Sequence, residues 1–128
     1  MPTLMFQSQF SPFVENGTKC QTIRPPRKRP IKTGDKLSLR RWQGAPYRSK
    51  QLVLRESVCM FTAPVHIMSY GGTVNTPDAI IIVNGAKLGL TTRALFARDD
   101  GFMDLSSMLA WFEKTHGLPF EGVLIRWE

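Results

Sequence analysis

Apolar positions recur along this chain in two rhythms. From Lys36 to Trp42 they alternate: Leu37 and Leu39 share one face, and Lys36, Ser38 and Arg40 the other. That period of two predicts a half-buried strand. A partial alternation from Lys50 to Met60 (Leu52 and Leu54 against Val53 and Arg55) predicts a second strand that continues past Phe61, with Pro64 interrupting or bending it. Thr3 to Phe6, Gln21 to Arg24, Ala79 to Val83 and Gly122 to Trp127 read as shorter strands. Asn84-Gly85 is the strongest hairpin signal, with Lys87 to Leu90 as the returning strand.

The other rhythm is helical. Leu105, Met108, Leu109 and Phe112 form one apolar stripe behind an Asp104 cap, and Gly117 and Pro119 end it. A shorter helix is predicted from Thr91 or Thr92 through Arg98, stopped by Gly101, and about one turn early in the chain, with Ser11 as cap, Pro12 as first residue and Gly17 as stop. Pro25, Pro26 and Pro30 keep the intervening segment irregular, and Thr33-Gly34-Asp35 and Gly44-Ala45-Pro46 are turns. Many short strands, one early helix and two late ones predict a single α+β domain over residues 1–128, a mostly antiparallel β-barrel decorated by helices.

Composition adds three constraints. Hydrophobic residues at 42% are enough for one core. Seventeen Lys and Arg against ten Asp and Glu give a net charge of +7, which favours a polyanionic partner such as nucleic acid. Cys20 and Cys59 lie in no metal-like or disulfide-framework spacing, His66 and His116 are isolated, and no metal or cofactor motif is evident. His116, at a helix end, reads as a capping residue, and Trp127 as core or a lid. With no signal-like start and no apolar run approaching about 18 residues, a cytoplasmic monomer away from membranes is expected.

Chemistry concentrates in Gly17-Thr18-Lys19-Cys20-Gln21-Thr22-Ile23-Arg24. Thr22 and Arg24 are two apart and share one strand face. Lys19 precedes the strand, so irregular backbone can turn its amine towards the Thr22 hydroxyl. A hydroxyl beside an amine is the minimum for a nucleophile and its base, provided that burial or a nearby cation lowers the lysine pKa. Arg24 can be that cation, or it can clamp a substrate carbonyl or phosphate. The bland alternative is a solvated strand start. Cys20, beside Lys19, has no evident histidine partner and reads as an inert thiol.

The order Phe13, Gly17, Lys19, Thr22, Arg24, then Lys32-Thr33-Gly34-Asp35 and a strand, resembles the ASCH domain family, as does Ala97-Arg98-Asp99-Asp100-Gly101-Phe102 ahead of the helix carrying Trp111. The resemblance spans roughly Phe6 to Trp127 and implies a PUA-like barrel with the Gly-x-Lys-x-x-Thr-x-Arg segment on a cleft wall. It also implies RNA or nucleotide binding. Some small members remove the acyl group of N(4)-acetylcytidine with a Lys, Thr and Glu set. Lys19 and Thr22 match the first two; the acid falls on Asp100, one methylene shorter than Glu, with Asp99 as fallback. The implied mechanism has Lys19 take the Thr22 proton, Thr22 attack the amide, and the acid protonate the leaving cytosine amine.

A second constellation runs from Arg24 to Arg41: Arg24, Arg27, Lys28, Arg29, Lys32, Lys36, Arg40 and Arg41 against the single acid Asp35, with Trp42 and Tyr47 following. Cations followed by aromatics suit single-stranded nucleic acid, through phosphate attraction and base stacking. Arg24, Arg27, Lys28, Arg29 and Trp42 are therefore the candidate substrate-binding residues. Three readings follow: a deacylase of acylcytosine nucleosides, a non-catalytic RNA-binding module using the same cleft, and a ribonuclease.

Overall fold

The computed structural model describes residues 1–72 and 77–127. Its elements run β1 (Thr3–Met5), α1 (Ser11–Glu15), β2 (Gln21–Arg24), β3 (Lys36–Trp42), β4 (Gln51–Gly72), β5 (Pro77–Val83), β6 (Ala86–Lys87), α2 (Leu90–Asp99), α3 (Leu105–Thr115) and β7 (Phe120–Trp127). Among the described residues this is an α+β fold with one mostly antiparallel sheet of seven strands and three helices.

The sheet is organised by β4. Its first part pairs with β3, its middle with β7 and its last part with β5, all antiparallel. β7 carries β2 on its other side, β5 carries β6 across the Asn84-Gly85 turn, and only β1 is parallel, to β3. Asn84 and Gly85 both have positive φ, 53° and 83°, as the two-residue turn requires. Pro64 does not interrupt β4: it sits opposite Val123, and its carbonyl accepts from Asn84 N.

The expected barrel does not close. Among the described residues no ladder joins β1 to β2. Both strands are very short, and the Arg24 guanidinium bridges them instead, with Nη2 donating to the Met5 carbonyl at 2.7 Å. Three element ends also differ from expectation. α1 takes Phe10, not Ser11, as its cap residue; α2 begins at Leu90 behind Gly89, without a threonine cap; and β6 is only Ala86–Lys87. The Asp104 cap of α3 forms as expected, its side chain accepting from Ser107 N at 2.8 Å.

Two apolar clusters flank β7. Leu124 packs into the cluster formed with Val65, Ile67, Ile81, Phe96, Met108 and Phe112, while Ile125 and Trp127 belong to the one with Leu4, Phe6, Phe10, Leu37 and Leu39. Successive strand residues point to opposite faces, so one strand serves both clusters. Phe102 and Trp111 pack against both. The close approach of β2 to β7 depends on Gly122, where a Cβ would lie 2.6 Å from the Arg24 carbonyl oxygen.

Candidate active site

Beside the Phe102 and Trp111 junction lies a cavity of about 250 Å³, lined among others by Phe6, Phe10, Lys19, Thr22, Arg24 and Asp100. Three structural features build it. β2 presents Thr22 and Arg24 on one face, as their spacing requires. Lys19 sits just before that strand, its backbone N–H bonded to the Phe13 carbonyl. Asp100 ends α2, and Gly101 follows at φ +91°.

Lys19 and Asp100 are each only 3% exposed, so neither is a solvated surface charge. The Lys19 amine donates to the backbone carbonyl of Asp100 and lies 3.3 Å from its carboxylate oxygen Oδ1. The amine thus sits at the carbonyl end of α2, where a cation is favoured. It also lies over the Phe10 ring, 5.0 Å from the centroid, while the Arg24 guanidinium lies 4.9 Å from that of Phe6.

The expected Lys19–Thr22 contact is replaced by two separate pairs. Lys19 bonds to Asp100, and the Thr22 hydroxyl accepts from Arg24 Nε at 3.0 Å. Asp100 feels the charge of both cations but bonds only to Lys19 among them, and Arg24 aligns the hydroxyl. Both members of the buried pair move towards neutrality. Burial lowers the Lys19 pKa, with Arg24 adding to the effect and Asp100 opposing it. Burial raises Asp100 to about 6, opposed by Lys19, Arg24 and the Gln21 amide. Arg24 is lowered to about 10 by burial, opposed by Asp100 and reinforced by Arg27.

Asp99, the fallback acid, faces elsewhere and pairs with Arg126 at 3.2 Å. Cys20 is half-buried near that pair, and both cysteines are free thiols. Arg27, Lys28 and Arg29 are exposed on the loop after β2 and do not line the cavity, although Pro25 at the start of that loop does. Arg40 is engaged by Ser38 and Gln51, and Arg41 by the Trp42 carbonyl. The eight cations therefore do not form one surface. Trp42 lines a neighbouring groove with Tyr47 instead, their ring centroids 5.1 Å apart.

Two residues here went unrecognised in the sequence. His116 is the C-cap residue of α3, as its position suggested, yet it also lines the cavity, its ring 4.8 Å from that of Phe120. Gln21 is fully buried behind Asp100, its Nε2 donating to the Phe96 carbonyl at 3.4 Å while its Oε1 has no partner. Helix-end position hid the first; nothing in the pattern of a four-residue strand marks the second. Comparison of the chain with protein-family models, curated proteins and solved structures found no match.

Proposed function

We propose that this protein is a PUA-like domain of the ASCH type that hydrolyses the exocyclic amide of N(4)-acylcytidine-type nucleosides. One observation carries the reading: a buried amine, a buried carboxyl and an arginine-aligned threonine hydroxyl line one small aromatic-walled cavity. Two of these groups are biased towards the neutral forms that proton transfer requires.

The proposed chemistry uses these groups in turn. Arg24 Nε occupies a lone pair of Thr22 Oγ1, and its charge favours the developing alkoxide. In this reading the Lys19 amine, neutral, swings from Asp100 towards Thr22 across the cavity that both line, and takes the hydroxyl proton as Oγ1 attacks the amide carbon. Protonated Asp100 supplies the proton for the leaving amine nitrogen, and the carbon–nitrogen bond breaks. The Lys19–Asp100 contact at 3.3 Å then returns the proton from ammonium to carboxylate. Water releases the acyl group from Thr22, with Lys19 again as base.

Incubating the protein with N(4)-acetylcytidine tests the reading. Cytidine and acetate are expected in equal amounts. Intact substrate after prolonged incubation with folded protein would overturn it.

A further inference from the structure

The loop from Gln43 to Lys50 is tied to itself. Gln43 N donates to the Lys50 carbonyl at 2.8 Å, Gly44 N to Ser49 Oγ at 2.9 Å, and Ser49 Oγ to the Ala45 carbonyl at 2.8 Å. This bonded loop holds Tyr47 in the left-handed region, φ 63°, yet leaves it 89% exposed. Burial therefore does not account for a conformation that a bulky residue adopts only at a cost. The Tyr47 and Trp42 rings are inclined by 50°, an open jaw rather than a closed stack.

The jaw lines a groove of about 600 Å³ whose other wall is Met5, Phe6 and Gln7. The same three residues line the cavity holding Lys19 and Thr22, so the two spaces share one short segment as wall. Arg48 and Lys50 are exposed on the loop that carries the jaw. Aromatic faces with cations beside them match a stacked base and its phosphate. A free nucleoside has neither a second base nor a phosphate to use them.

We infer that the Trp42–Tyr47 groove is a second subsite, which takes a neighbouring base joined through a phosphodiester to the acylated cytidine, so that the preferred substrate is a single-stranded oligonucleotide. The identity of the first subsite's occupant rests on the deacylase reading above; the second subsite is read from its own geometry.

The test has two arms. In the first, deacylation of N(4)-acetylcytidine is compared with that of a dinucleotide bearing the same base and one phosphodiester. The dinucleotide is expected to have a kcat/KM higher by about tenfold or more, the range of one stacked base. Tyr47→Ala is expected to shrink that ratio, and Tyr47→Phe, which keeps the ring, to retain it. Equal kcat/KM for both substrates would overturn the subsite and leave the deacylase reading standing. In the second arm, binding of the unacylated dinucleotide is measured by calorimetry. Binding weakened about tenfold by Tyr47→Ala supports the subsite even if neither substrate is hydrolysed, an outcome that sinks only the deacylase reading. Binding unaffected by Tyr47→Ala overturns the subsite.

Discussion

Lys19 is pulled two ways. Burial disfavours its charge, whereas Asp100 and the carbonyl end of α2 favour it. Burial wins, and the same burial keeps Asp100 protonated up to about pH 6. If Thr22 is the nucleophile and Lys19 its base, removing either disables one step. Thr22→Ala, Lys19→Arg and the double variant should then lose similar turnover, because the charge on arginine is permanent and it cannot serve as base. Deacylation rates on folded variants check this; additive losses would mean that the two residues only bind substrate. Asp100 also makes stability depend on pH. Its pKa is raised from 3.8 to about 6 in the folded chain. Its stabilising contribution is complete below its unfolded pKa and is lost as pH rises through about 6. Denaturant midpoints across that window should fall less steeply in Asp100→Asn, which is neutral throughout. A slope unchanged from that of the parent protein would place the titration on another group.

Element ends supply the geometry that side chains alone do not. The Gly101 turn after α2 holds Asp100 against Lys19, and a Cβ there would lie 3.0 Å from Lys19 Cδ and 3.3 Å from Phe10 Cδ1. Gly101→Ala should cost about 1–2 kcal/mol for the left-handed backbone alone. It should also lower turnover, because the lysine stem must move. Chemical denaturation and kinetics measure the two effects separately, and a loss of stability with turnover intact would show that Lys19 adapts. The sequence pattern was legible at this scale where a local rule governs. Lys36–Trp42, Gln21–Arg24, the Asn84-Gly85 turn and the Asp104 cap all stand where period or turn chemistry put them. The interruption allowed for at Pro64 does not occur, because β4 continues through it with Val123 opposite.

For the whole molecule, the question is how a charge of +7 is distributed. Arg24 is withdrawn into the cavity and Arg40 and Arg41 are bonded locally, so Arg27, Lys28 and Arg29 are left as the exposed cluster nearest the cavity-lining Pro25. Affinity for single-stranded RNA should therefore fall log-linearly with salt, by about 0.7 per phosphate contact. Replacing the three by Ala should reduce that slope by about 2. Fluorescence anisotropy over a salt series reads it directly, and an unchanged slope would mean that these side chains are only solvated. Among the described residues no helix is long and apolar enough to cross a membrane.

By itself the sequence determined most strands and helices and the shared face of Thr22 and Arg24, because each depends on neighbours a few positions away. Only the tertiary structure decided the pairing. Lys19 and Asp100 are 81 residues apart, and they meet because the end of α2 is tied to the start of β2: Cys20 N donates to the Asp99 carbonyl and Gln21 Nε2 to the Phe96 carbonyl. Which of the two aspartates meets Lys19 depends on the same packing. Adjacent in sequence, one carboxylate turns inward to Lys19 and the other outward to Arg126. The open sheet was decided there too, since a barrel closes only if its edge strands are long enough to pair. Here β1 and β2 are joined by an arginine side chain instead.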